Sequence, residues 1–331
     1  MATIILHLSL LLLILLSSAV SELCNPHDKK VLLQIKKDLN NPYLLSSWDP
    51  KTGCCGWYGI ECDEKTNRVI SLAIFDSSPL ITNFSAQIPP SVGQLPYLET
   101  LVFHKLTNLT GPLQPAIAKL TNLKFLSISN TNLSGSIPSF LSQLTNLTYL
   151  NLSFNNLTGS IPNSLSKLSN LGFLRLDRNH LTGPIPSSFG SFKSSPDIFL
   201  SHNNLTGTIP PSIGNLKFTE IDLSRNKLEG DASSIFGPNK TVQFVNLSRN
   251  QLSFDLSNVE FSKNLESLDI NHNKVYGNLP QGLTALNFQF FNVSYNRLCG
   301  QIPVGGTMQS FDIYEYFHNK CLCGSPLPKC T

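Results

Sequence analysis

Apolar residues return along this chain in one spaced phrase, L-x-x-L-x-L-x-x-N-x-L-x-G-x-I-P, written in full by Leu147, Leu150, Leu152, Asn155, Leu157, Gly159, Ile161 and Pro162. The phrase recurs ten times at intervals of 23 to 29 residues. A period of this length predicts a stacked array rather than a globule around one closed core. In Leu150-Asn151-Leu152 the two leucines point inward and the residue between them outward, because a strand alternates its faces. The equivalent strand centres are Leu72, Leu101, Leu126, Leu150, Leu174, Ile198, Ile221, Val245, Leu268 and Phe291. Stacked in parallel, they make one sheet along the inner curve of an α/β solenoid.

The rest of the phrase reads as scaffold. Asn155, Asn179, Asn203, Asn226, Asn250, Asn273 and Asn296 recur after each strand, where a side-chain amide satisfies backbone groups that the bend leaves unpaired. Thr131 breaks this ladder, and the second repeat has an extra residue around Leu106. Gly111, Gly135, Gly159, Gly183 and Gly207 mark places that need a positive φ or close packing. Ile-Pro pairs then start an extended segment, followed by a short helical turn with Leu141 and Leu144, or Leu165 and Leu168, on its buried face.

An array cannot bury its terminal coils, so both ends need lids. The expected organisation is a signal peptide over 1–21, a cysteine cap over 22–68, ten repeats over 69–298 and a second cap over 299–331. Leu6 to Leu16 has the length of a signal-peptide apolar core, with Ala19 and Ser21 before the cleavage point. That run is shorter than the roughly 20 residues of a membrane span. Asp28 to Asp38 reads as an amphipathic helix with Val31, Leu32 and Ile35 on its apolar side. The eight cysteines fall into two groups, Cys24, Cys54, Cys55 and Cys62, and Cys299, Cys321, Cys323 and Cys330. In a secreted chain they read as disulfides. Each group allows three pairings, of which sequential pairing is the simplest. No C-x-x-C pair stands beside a His at zinc-ligand spacing, so no metal or cofactor is expected.

The formal charge of +3 is too small to imply a nucleic-acid partner. Placement says more. The residue before each ladder asparagine reads Phe154, Arg178, His202, Arg225, Arg249, His272, Tyr295, which predicts a cationic rail of about 19 Å at a strand spacing of about 4.8 Å. Such a row repels itself unless something anionic neutralises it. Asp197, Glu220, Asp222 and Asp269 put carboxylates beside it, together with Asp177 and exposed aromatics such as Phe125, Tyr149, Phe173, Phe199, Phe244 and Phe290. Aromatics and arginines grouped on a rigid face suit protein recognition. Catalysis finds little support: G-x-S-x-G, H-E-x-x-H, a phosphate loop and G-x-G-x-x-G are all absent. Asp197 and Asp222 form a carboxylate pair, but on an open sheet without a closed cleft.

Ten N-x-[ST] sequons occur. Those at Asn83, Asn108, Asn132, Asn146, Asn156, Asn204 and Asn239 are the expected glycan sites. Asn151, Asn246 and Asn292 lie mid-strand on the inner face, where a glycan would block binding.

The repeats resemble the plant-extracellular leucine-rich repeat. The segments Cys24-Asn25-Pro26-His27-Asp28 through Lys36, Cys54-Cys55-x-Trp57 and Cys321-Leu322-Cys323-Gly324 through Cys330, with the ten-repeat count, resemble plant polygalacturonase-inhibiting proteins over the whole mature chain. The resemblance implies a right-handed leucine-rich repeat superhelix with a concave parallel sheet and convex helical or 3-10 turns. It also implies a secreted, non-catalytic protein of the apoplast and cell wall that binds fungal endopolygalacturonases and slows their digestion of pectin. A monomer is expected. In that family the partner docks on the concave sheet. The matching positions are Asn151, Arg175, Asp177, Arg178, Asp197, Phe199, His202, Glu220, Asp222, Arg225, Gln243, Asn246, Arg249, Asp269 and His272. A basic strip for de-esterified pectin (homogalacturonan) is matched by Arg178, Arg225 and Arg249, with His202 placing an imidazole in the row. The competing classes are a receptor-like ectodomain that senses an apoplastic ligand and, behind it, an ice-binding protein.

Overall fold

The computed structural model describes residues 24–75 and 86–330, so the predicted signal peptide and Asn83 lie outside the described residues. An eleven-stranded sheet lines the inner face. Ile60–Cys62 pairs antiparallel with Val69–Phe75, and from there to Phe290–Asn292 the strands run parallel, one per coil. The expected strand centres stand opposite one another without a slip, from Leu72 against Leu101 to Leu268 against Phe291. All ten are at most 1% exposed, so each coil seals the apolar face of its neighbour. Burying a leucine in this way stabilises the fold by about 2 kcal/mol.

Behind each bend the segment N-L-T-G forms a second parallel sheet of eight strands, from Ala86–Gln87 to Gln251–Leu252. The sequence pattern indicates only an extended segment there. The pairing arises because the ladder asparagines hold successive segments at the spacing of the inner strands. Asn203 is typical. Its Nδ2 donates to the carbonyls of Leu176, Leu200 and Ser201 at 3.0, 3.1 and 3.3 Å, and its Oδ1 accepts from Leu181 N at 2.9 Å. Gly135, Gly159, Gly183 and Gly207 hold φ between 74° and 80°, as the spacing predicts. The Ile-Pro segments lead into short turns such as Ser139–Gln143 and Asn163–Lys167, which are 3-10 rather than α-helical. One such turn suffices to bury Leu141, Leu144, Leu165 and Leu168 completely.

The first cap is built on helix α1, Pro26–Asp38. Asn25 caps it by accepting from His27 N and Asp28 N, and Pro26 occupies its first position. Val31, Leu32 and Ile35 are buried as expected. Asp28, 1% exposed, takes a two-pronged contact from Arg68 at 2.9 and 2.8 Å and a third bond from Val69 N at 2.9 Å. This pair bolts the helix to the start of the inner sheet. Trp48 stacks on Trp57, with ring centroids 5.7 Å apart. The disulfides join Cys24 to Cys54, Cys55 to Cys62, Cys299 to Cys321 and Cys323 to Cys330, which is the sequential pairing.

At the far end the ladder continues into the second cap. Asn319 adds a further rung to the ladder, donating to Val293 O and Tyr316 O and accepting from Leu298 N. Strand Arg297–Gln301 pairs with Cys321–Cys323, so the second cap is itself a coil of the array. The motif Asn319-Lys320-Cys321 carries the ladder spacing with Cys in place of Leu, which hides it from a search for leucines.

Candidate concave interface

Thirteen of the fifteen expected partner-binding residues fall into three parallel rows. The middle row is Asn151, Arg175, Phe199, Asp222, Asn246 and Asp269, continued by Asn292, each in register with the next. Asp197 and Glu220 begin neighbouring strands. Arg178, His202, Arg225, Arg249 and His272 form the third row. Gln243 precedes strand Phe244–Asn246 and is half-buried.

The middle row has a scaffold duty that the pattern of residue types does not reveal. Asn151, Asp222, Asn246, Asp269 and Asn292 each accept, through Oδ1, a bond of 3.0 to 3.1 Å from the backbone N–H two residues on. These Asx turns end each strand and leave the second oxygen or amide on the concave side. Arg175 and Phe199 replace that device in two coils, with the guanidinium 4.8 Å above the ring. Asp197 bonds Thr219 N and Glu220 N at 2.8 and 2.9 Å, which ties one coil to the next.

Two expectations are corrected. Asp177 is not on the exposed surface: it is 5% exposed, at the position where neighbouring coils carry buried Ser153, Ser201 and Ser224. Its Oδ1 lies 3.5 Å from Arg175 Nε. Burial pushes its carboxyl above the usual range, against the opposing pull of Arg175. The native state therefore favours the protonated form. That contribution is full below the ordinary carboxylate pKa and is lost as pH rises through the raised one. Asp177→Asn is expected to raise Tm relative to the unmodified protein at about pH 7, with the difference narrowing by about pH 4. A difference that stays constant with pH, measured by calorimetry, would contradict this.

The second correction concerns the cationic rail. Its residues do not sit on the strands. Phe154, Arg178, His202, Arg225, Arg249, His272 and Tyr295 all adopt φ between 53° and 57°, at the bend beyond each strand end. There the chain turns from the inner sheet toward the second, and the left-handed residue aims its side chain along the edge. Permanent charge comes from Arg178, Arg225 and Arg249 alone. Burial, then Arg178 and Arg225, lower the pKa of His202; burial, then Arg249 and Arg225, lower that of His272. Both imidazoles therefore take up a proton at a lower pH than an ordinary histidine does. His202 Nδ1 is buried without a hydrogen-bond partner among the described residues.

The acids form a cluster of their own. Glu220 is pushed up by burial and by the charges of Asp197 and Asp222. Asp269 is pushed up by burial, with Asp222 adding to the effect. Concentrated negative charge thus lies in mid-sheet, next to the arginine edge.

Aromatics complete the face. Phe125 and Tyr149 stack at 4.2 Å with parallel planes, and Phe173 follows at 5.8 Å. At the other end His272, Tyr295 and His318 stack at 4.0 and 4.4 Å. His318, also at positive φ, extends the bend row one coil further than the sequence reading took it. A groove of 540 Å³ opens between the bend row and the second sheet, lined by Asn130, Phe154, Arg178, His180 and His202 among others. Of the expected glycan sites, Asn132, Asn146, Asn156, Asn204 and Asn239 are exposed and Asn108 is half-buried.

Comparison with known proteins agrees with this architecture. The chain matches the leucine rich repeat N-terminal domain over residues 25–63 and leucine rich repeats over 117–181, 197–216 and 264–286. It is 66% identical to a polygalacturonase inhibitor of Pyrus communis, covering 98% of this chain and 97% of the relative. A polygalacturonase inhibitor of Vitis vinifera is 60% identical, with 97% of each chain covered. The chain belongs to the polygalacturonase inhibitor family of leucine-rich repeat proteins. The family's scaffold also serves elsewhere: the crystal structure of a plant ice-binding protein superposes with a TM-score of 0.90 at 51% identity, over 93% of this chain and 98% of the other. Among the described residues, no helix is long and apolar enough to cross a membrane.

Proposed function

We propose that this chain is a secreted inhibitor of fungal endopolygalacturonases that acts in the cell wall by docking on the enzyme with its concave face. The single observation that carries the reading is the in-register cluster of Asp197, Glu220, Asp222 and Asp269 on an open, rigid sheet beside the arginine edge. A surface of this kind recognises a partner without reacting with it. An enzyme that binds polygalacturonate has a cationic cleft, and a preformed anionic face complements such a cleft. Because Asx turns fix Asp222 and Asp269, and two N–H groups of the next coil hold Asp197, docking orders few side chains and loses little entropy.

The bend row of Arg178, His202, Arg225 and Arg249 is proposed to hold de-esterified pectin through charge-assisted contacts. Burial, then Arg178 and Arg225, lower the His202 pKa, so its charge joins this strip at a lower pH than that of an ordinary histidine. The exposed sequon asparagines are proposed to carry glycans outside the concave face. An ice-binding role is less well supported: the concave rows are charged and mixed, and measurable thermal hysteresis would reverse that ranking.

The test is a reducing-sugar assay of the purified protein against a panel of fungal endopolygalacturonases. Slower release of reducing ends with at least one enzyme is expected. Uninhibited rates across a broad panel would leave the receptor-like reading in its place.

A further inference from the structure

Beyond each bend-row position the chain enters the second sheet or, past Leu252, the short three-stranded sheet of Tyr276–Gly277, Arg297–Gln301 and Cys321–Cys323, and the side chains at these entries make another row. Toward the N-terminal side this row reads Asn108, Asn132, Asn156, His180 and Asn204; toward the C-terminal side it reads Lys227, Gln251, Lys274, Arg297 and Lys320. The first part is mostly sequon asparagines, and the second is mostly permanent cations. Lys227, Arg297 and Lys320 are exposed, and Lys274 is half-buried with its ammonium 3.2 Å from Gln251 Oε1. Among the described residues none of the four cations is ion-paired. Glu229 is the acid nearest to them along their own strands.

The row is held rigidly. Lys227, Lys274 and Arg297 each lie between a ladder asparagine and the residue whose N–H the next rung accepts, and Lys320 lies between the last rung, Asn319, and strand Cys321–Cys323. Leu228 N bonds Asn250, Val275 N bonds Asn296 and Leu298 N bonds Asn319, each at 3.0 Å. The rungs therefore repeat at the coil spacing of about 4.8 Å, close to the length of one sugar residue. Arg225 and Arg249 of the bend row run alongside. Like charges ordered in this way repel one another and are neutralised best by a linear ligand that carries an anion at each step.

We propose that Lys227, Lys274, Arg297 and Lys320 form a second rail for a linear polyuronate, which carries the chain past the bend row onto the C-terminal cap. The proposal rests on the reading that the bend row binds de-esterified pectin, and it adds residues and direction to that site. The row of sequons ends at Asn204, which leaves this stretch clear of the expected glycans.

The probe is immobilised polygalacturonate, with fully methyl-esterified pectin as the uncharged control. Two variants of the full chain are compared with the unmodified protein: one with Lys227, Lys274, Arg297 and Lys320 each changed to Gln, the other with Arg178, Arg225 and Arg249 each changed to Gln. The four-residue variant is expected to bind polygalacturonate about tenfold more weakly with a shallower salt dependence, while its inhibition of an endopolygalacturonase is unchanged. A matched variant with Lys and Arg exchanged at those four positions keeps binding if charge alone is read, and its unfolding midpoint reports on folding. Unchanged affinity in the four-residue variant, beside a loss in the arginine variant, overturns the second rail and leaves the bend-row reading standing. No binding by the unmodified protein removes both.

Discussion

Asp222→Lys is expected to weaken inhibition of a susceptible endopolygalacturonase by about 100-fold or more, and Asp222→Asn by about tenfold. The two variants separate the roles this residue plays. Oδ1 accepts from Ser224 N at 3.0 Å and closes the strand end, and Asn keeps that bond while removing the charge. Lys removes both and places a cation between Phe199 and Asn246, in the centre of the face. Asn239→Lys, in an exposed turn away from the inner sheet, introduces the same charge and is expected to leave inhibition unchanged. The measurement is an inhibition constant for each variant, with thermal unfolding as the check on folding. Comparable losses at 222 and 239 would mean that net charge rather than the concave face governs binding. No loss at 222 would mean that the partner docks elsewhere.

Much of the molecule was legible in the sequence because its fold is a repeated local rule. Leucine spacing placed the ten strand centres and the buried turn residues, and asparagine spacing placed the ladder. What escaped depends on more than residue type and period. Asp177 stands in a row of serines, and only the packed coil shows that this position points inward. Alternation alone puts the bend row on the strands, because it does not register a left-handed residue. The Asx turns were invisible for another reason: Asn or Asp between two leucines reads equally well as a free recognition group or as a strand cap. Asn319 is hidden because cysteines replace the leucines around it. The second cationic row is hard to read from the repeat because its residue types change along the array, from Asn to Lys and Arg, and that change is itself the signal.

The ladder makes the other large prediction. Asn203→Leu keeps the branching and heavy-atom count of the side chain but removes the donors to Leu176, Leu200 and Ser201 and the acceptor for Leu181 N. These groups lie in a coil interior where water does not replace the bonds, and Asn203 itself is 7% exposed. The expected loss is about 2–4 kcal/mol of unfolding free energy. Asn156→Leu, at an exposed position outside the ladder, is expected to change stability by less than about 0.5 kcal/mol. Because each coil contacts only its neighbours, a missing central rung should also loosen the coupling between the two halves of the array. Chemical denaturation then shows a broader transition as well as an earlier one. Thr131 offers the reverse experiment: it fills a rung with a hydroxyl that donates to Asn155 Oδ1 at 2.5 Å. Thr131→Asn, which extends the ladder by one amide, is expected to stabilise the protein by about 1 kcal/mol. If Asn203→Leu unfolds with the midpoint and width of the unmodified protein, the amides are not what holds the coils in register, and apolar stacking alone must account for it.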